Sequence, residues 1–133
     1  MAKKPSFALL FFLWMALISY LSLRPFSEDG LPDFEIPHID KLAHAIFYAG
    51  MVVFGSLFIR ERTNGHMAIR SALSIIFLVA FGYGILIEVL QDVLPAQRTA
   101  DLWDVFANTT GAVLGVWGVW WSFSRTGRLK WKH

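Results

Sequence analysis

The sequence predicts an all-α fold, an integral membrane four-helix bundle with both termini in the cytoplasm, and three observations support this. Of the 133 residues, 56% are hydrophobic and 16% aromatic, more than a soluble domain of this size could bury. Four apolar segments each approach the length that crosses a hydrocarbon core of ~30 Å at ~1.5 Å per residue. Lys and Arg are also unevenly shared between the connections. We therefore predict a single transmembrane domain over residues 1–133, with helices at about 7–23, 40–59, 71–94 and 101–123.

The first predicted helix follows Lys3 and Lys4, an arrangement that resembles the start of a signal peptide. No small-x-small cleavage site follows, so we interpret the segment as an uncleaved membrane helix. The connection of residues 24–40 contains three prolines, a glycine and five acidic residues, and it is predicted to be a non-helical loop.

The distribution of Lys and Arg predicts the orientation of the chain. The N-terminus, the connection between the second and third helices and the C-terminal tail hold nine of these residues, and the other two connections hold three. Because Lys and Arg are retained on the cytoplasmic side, both termini are predicted to lie there. The chain would then be a multi-pass protein of the cell membrane whose polar residues, described next, face the extracytoplasmic side.

Each of the last three helices carries one stripe of polar or small residues at helical spacing. The second helix has Asp40, His44 and Tyr48; the third has Ala80, Gly84, Glu88 and Gln91; the fourth has Asp101, Asp104, Asn108, Gly111 and Gly115. In the predicted topology the polar members share one outer layer. Charged groups facing lipid would be costly, so the three stripes are predicted to face one another inside the bundle.

The charges in this layer do not balance, because four carboxyl groups stand against Lys41 and Arg98. Such a cluster must share protons, hold a proton on one carboxyl group, recruit His44 as imidazolium, or bind a cation. Carboxylates with one histidine would suit a divalent metal with oxygen ligands, but no ligand motif such as HExxH occurs. The chain has no cysteine, which excludes disulfides, thiolate metal sites and a cysteine nucleophile.

These polar positions resemble the pattern of the VanZ-like membrane proteins. The resemblance lies in DKLAHAIFY at 40–48, in YGILIEVLQ at 83–91, and in the run Arg98, Asp101, Asp104, Asn108, Gly111 and Gly115. It implies a small bacterial integral membrane protein of the cell envelope. The founding member of that family is associated with low-level resistance to the glycopeptide teicoplanin.

Several of these residues also have a purely structural interpretation. Asp101 and Asp104 follow Thr99, where a cap and first-turn acids suit the helix dipole, and Asp104 could pair with Arg98. The spacing of Gly111 and Gly115 indicates close helix packing. Glu88 differs, because its neighbours in the sequence are apolar and an intramembrane carboxylate is a functional candidate.

Two functions remain open, and enzyme status with them. In the first, the protein is an enzyme of the outer leaflet that acts on a phospholipid headgroup or a lipid-linked envelope precursor. Its candidate catalytic residues are Glu88, His44 and Asp104, and its candidate ligand-binding residues are Arg98, Asp101, Gln91, Asn108, Asp40 and Tyr48. In the second, the same residues form a non-enzymatic binder of lipid or glycopeptide, or a partner protein that modifies the envelope. A proton-coupled transporter is disfavoured because the polar residues stop in the outer half. No nucleic-acid site is indicated, and neither a cofactor nor a metal can be named.

Overall fold

The fold consists of four helices, which a computed structural model describes over residues 6–23, 39–93, 102–124 and 130–131. They are α1 (Phe7–Leu23), α2 (Ile39–Thr63), α3 (Ile69–Val93) and α4 (Leu102–Ser124). No strand occurs in these ranges, which confirms the predicted all-α class.

Contacts at the two ends of the helices define their relative directions. At one end, Lys41 near the start of α2 reaches Asp104 near the start of α4, and Gln91 near the end of α3 reaches Ser22 at the end of α1. At the other end, Glu61 accepts a hydrogen bond from the backbone nitrogen of Phe7. Helices α2 and α4 therefore run parallel to each other and opposite to α1 and α3.

The helix α2 occupies the centre, since it packs against the other three helices and most extensively against α4. Two glycines allow this close approach. A Cβ on Gly111 would overlap the backbone of Ala45, and one on Gly115 would lie 2.8 Å from the Ala49 carbonyl oxygen. The GxxxG spacing thus serves helix packing, as its sequence indicates.

The observed α2 extends to Thr63, beyond the predicted end near residue 59. The added turn is charged, and it continues the helix past the apolar segment because such residues are good helix formers. The helix then ends at Asn64 and Gly65, which both have positive φ, while the Gly65 nitrogen donates to the Arg60 carbonyl at 2.9 Å. This is the hydrogen bond of a Schellman cap.

Two described helical segments, Lys41–Thr63 and Ile69–Val93, are long and apolar enough to cross a membrane. The helix α1 has 17 residues and is short for a ~30 Å core. The helix α4 contains Asp104, Asn108 and four tryptophans, which lower its hydropathy. The structure thus supports two of the four predicted spans by length and composition.

Large apolar side chains are nevertheless exposed on all four helices, including Phe12, Ile46, Leu78 and Phe106. Water-soluble monomers rarely expose so continuous an apolar surface. Inside, the main core is made of Phe11, Ile18, Tyr48, Met51, Val52, Ile76, Ala80 and Ala112. The described helices thus carry an apolar exterior around a small apolar core.

Candidate functional site

Five polar side chains from three helices lie together at one end of the structure: Lys41, His44, Glu88, Asp104 and Asn108. We refer to these five residues as the polar cluster. Glu88 is five residues before the end of α3 and His44 five residues after the start of α2, so both lie within about 8 Å of a helix end. The structure brings together His44, Glu88, Asp104 and Asn108, which come from the three predicted polar stripes.

The helices α2 and α4 are joined at the cluster by an ion pair. Lys41 Nζ donates to Asp104 Oδ1 at 2.5 Å, and the two side chains are 24% and 12% exposed. The neighbouring amino end of α4 adds a favourable partial positive charge for the Asp104 carboxylate. Asp104 thus has its Oδ1 neutralised by Lys41 while Oδ2 points to the other residues of the cluster.

The buried His44 ring is oriented by α4. Its Nδ1 lies 2.9 Å from Asn108 Oδ1, an amide oxygen that can only accept, so Nδ1 carries the proton of this hydrogen bond. In the neutral ring, Nε2 then presents its lone pair. That nitrogen lies 4.0 Å from Asp104 Oδ2, too far for a direct hydrogen bond.

Glu88 brings a second buried carboxylate to the same place from α3. It is 4% exposed, and one of its oxygens lies within 4.8 Å of a ring nitrogen of His44 and of an oxygen of Asp104. Helix propensity and capping do not account for an acid buried in an apolar segment. This set of one imidazole and two carboxylates could transfer a proton or hold a metal ion.

A second polar layer lies one helical turn further inside, around Gly84. A Cβ on Gly84 would lie 3.2 Å from both the Asn108 amide nitrogen and the Tyr48 ring. The Tyr48 hydroxyl and that amide nitrogen are buried, and neither has a hydrogen-bond partner among the described residues. Glycine at position 84 therefore leaves room for both side chains beside the cluster.

Of the remaining predicted site residues, Gln91 contacts another helix, and the side chains of three lie outside the described residues. Gln91 donates to the Ser22 carbonyl oxygen at 2.8 Å, so its amide contacts α1. Arg98 and Asp101 lie outside the described residues, and so does the side chain of Asp40. Asp104 pairs with Lys41, and its predicted alternative partner Arg98 is among the residues outside the described ranges.

The sequence indicated a positive charge at Lys41 but not its partner Asp104. The signal was present, because Lys41 precedes His44 by three residues and therefore shares its face of the helix. No sequence pattern indicated that Ser22 of α1 would contact Gln91, because Ser22 lies in an apolar run and the contact is made by its backbone carbonyl.

A separate groove of about 510 Å³ lies between α3 and α4, lined by apolar side chains with Arg70 and Ser74. It contains no cluster residue, and its lining starts near the opposite end of α3. The candidate chemistry therefore lies at the cluster.

Comparison with known proteins adds one finding. A family model described as VanZ/LLP1 matches residues 6–123, a range that includes all five residues of the polar cluster. Neither the curated proteins nor the solved structures include one that is significantly similar to this chain.

Proposed function

Because this chain belongs to the VanZ/LLP1 family, we propose that it is a multi-pass membrane protein of the bacterial cell envelope. In this proposal the four helices form one membrane bundle with both termini in the cytoplasm, and the polar cluster opens to the outer side. There it binds the headgroup of a phospholipid or lipid-linked envelope precursor. The support comes from the family, the two apolar helices and the distribution of Lys and Arg.

One observation carries the assignment of the site. His44, Glu88 and Asp104, each from a different helix, are buried within 4.8 Å of one another although burial of charged groups is costly. A purely structural bundle could fill this space with apolar side chains at no such cost. We infer that the cluster is kept for a ligand, and its location near the helix ends suits a group at headgroup depth.

Native mass spectrometry of the detergent-extracted full chain tests this proposal. The wild type is expected to retain a phosphorylated lipid, and Glu88→Gln to retain much less, because the variant loses the carboxylate that would bind a hydroxyl or ammonium group of the headgroup. The matched control is Asp92→Asn, which changes an exposed acid one turn further along α3 and should behave as wild type. Equal lipid on all three proteins, or lipid lost equally in both variants, would contradict the proposal.

The same variants separate an enzyme from a binder. Glu88 and His44 have the chemistry of a proton-transfer pair, so an enzyme should convert envelope lipids supplied in vesicles to a product detectable by mass spectrometry. Glu88→Gln would then lose turnover more than lipid retention. A binder would give no product with either protein, and the variant would change affinity alone.

A link to glycopeptide resistance is part of this proposal and rests on family membership. Expression of the wild type in a susceptible host is expected to raise the teicoplanin concentration that inhibits growth, and expression of Glu88→Gln is not. An equal rise with the wild type and the variant would show that resistance does not depend on Glu88 of the cluster.

A further inference from the structure

We propose that His44, Glu88 and Asp104 bind one divalent metal ion of the zinc type through one imidazole nitrogen and two carboxylate oxygens. The three residues are all buried, and one possible ligand atom from each lies within 4.8 Å of the other two. Tetrahedral ligands at ~2.0–2.2 Å from Zn²⁺ are ~3.3–3.6 Å apart, so side-chain movements of about an ångström would close the site. The ligands come from three helices, and the metal would tie them together.

The hydrogen bond of His44 fits the arrangement of a metal-binding histidine. Histidines that bind metals usually donate their other ring N–H to an oxygen acceptor, which fixes the tautomer. Here Nδ1 donates to Asn108 Oδ1 at 2.9 Å, and Nε2 faces Asp104 Oδ2 at 4.0 Å. Two electron-rich atoms facing each other at this distance repel unless a cation or a proton lies between them. Asn108 is thus a positioning residue for a metal ligand.

Two buried polar atoms beside the cluster also support a bound metal ion. The Tyr48 hydroxyl and the Asn108 amide nitrogen belong to residues that are 1% and 3% exposed, and neither atom has a hydrogen-bond partner among the described residues. Both side chains adjoin Gly84, one turn from Glu88. A water molecule or ligand oxygen bound to the metal would provide the missing partner.

The metal ion would also have a role in binding a lipid headgroup. This role, unlike the metal site itself, rests on the proposed function. Lys41 occupies Asp104 Oδ1 and leaves Oδ2 for the metal. A dication would add two positive charges to the cluster, which suits an anionic headgroup. Three protein ligands also leave an open coordination position, as in catalytic zinc sites, where a phosphate or carboxylate oxygen could bind.

The test is a Co²⁺ titration of the full-length, untagged protein in detergent after chelator treatment, followed by visible absorption and competition with Zn²⁺. We expect one Co²⁺ per chain with the absorption of a low-coordinate site, and displacement by one Zn²⁺. Asn108→Leu should weaken binding by about 10- to 100-fold, and His44→Gln and Glu88→Gln by more. Asn108→Asp should restore binding, because its carboxylate also accepts from His44 Nδ1.

The controls are His66→Gln and Asp92→Asn. They alter an exposed histidine and an exposed acid near opposite ends of α3. Both should bind as wild type. The inference is overturned if wild-type protein gives only the spectrum of aqueous Co²⁺, if His44→Gln binds as tightly as wild type, or if Asn108→Leu and Asn108→Asp behave alike. No lipid is needed for the titration, so a failure here is distinct from a failure of lipid retention.

Discussion

At the scale of single residues, the ion pair of Lys41 and Asp104 shows how the cluster tolerates buried charge. The pair joins the first turns of two parallel helices, where Lys41 provides the cation nearest to the Asp104 carboxylate among the described residues. Removal of one partner from a shielded pair leaves the other charge desolvated and uncompensated. The two residues should therefore be coupled energetically.

This coupling can be measured by a double-mutant cycle. Lys41→Met is expected to lower the free energy of unfolding by about 1–3 kcal/mol, between the values for exposed and fully buried pairs. Lys41→Met combined with Asp104→Asn should be more stable than Lys41→Met alone, because the orphaned carboxylate is gone. Thermal unfolding in detergent measures both, with the exposed Lys130→Met as control. Strictly additive losses would show that the two charges do not interact.

Residue-scale features were partly predictable from the sequence. The polar spacing on three helices predicted that His44, Glu88, Asp104 and Asn108 would share one layer, and the structure brings these four together. Periodicity gives the face of a helix but not its neighbour. Gln91 is rotated ~60° from Glu88 at ~100° per residue, which is enough to direct it to α1. Which helix lies next to α3 on that side therefore determines the hydrogen-bond partner of the Gln91 amide.

At the scale of helices, the contact between α2 and α4 depends on the absence of side chains. Gly111 lies against the Ala45 backbone and Gly115 against Ala49 and Val52. In a membrane, where lipid tails compete equally for apolar surface, such close backbone packing is a main source of helix association. The same contact brings Asn108 to His44, so packing and site geometry are linked.

Gly111→Ala tests this link. The added methyl group would overlap the Ala45 backbone, so α2 and α4 must move apart, at a cost of about 1–3 kcal/mol. The matched control is Gly118→Ala on the same helix, where a Cβ would meet nothing within 4 Å and stability should be equal or slightly higher. The melting temperatures of the two variants give the comparison. Equal melting temperatures would mean that the close approach is not needed.

Helix ends were less predictable than helix faces. Hydropathy marks where apolar residues stop, whereas α2 continues through Arg60, Glu61 and Arg62 until the turn at Asn64 and Gly65. Charged residues remain good helix formers outside lipid, so the end of an apolar run and the end of a helix differ. The cap, and not hydropathy, sets the boundary.

At the scale of the whole molecule, the C-terminal segment contacts the connection between α2 and α3. Trp131 Nε1 donates to the Met67 carbonyl oxygen at 2.7 Å, and Arg60 donates to the carbonyl oxygens of Lys130 and Trp131. The Trp131 ring also packs on Phe123. These contacts put Lys130 and Trp131 at the same end as the connection between α2 and α3, opposite to the polar cluster, in keeping with the proposed orientation.

The absence of cysteine makes the orientation testable, because each introduced thiol is the only one in the chain. In intact cells, Asp92→Cys, which is near the cluster end, is expected to react with a membrane-impermeant maleimide. His66→Cys, at the opposite end, should react only after the membrane is permeabilised. Labelling of His66→Cys but not Asp92→Cys in intact cells would reverse the proposed topology, and labelling of both would contradict a membrane bundle.

The depth at which polar side chains stop has a further consequence. Beyond Tyr48 and Asn108 the described interior is filled by Met51, Val52, Ala80 and Ala112, and the Ser56 hydroxyl is a single polar interruption. Among the described residues such an interior offers no continuous polar route away from the cluster, so we expect a charge that enters the cluster to leave on the same side. In the proposed membrane bundle, the cluster would therefore be open to one compartment only. We expect its occupancy to follow the pH and composition of that compartment.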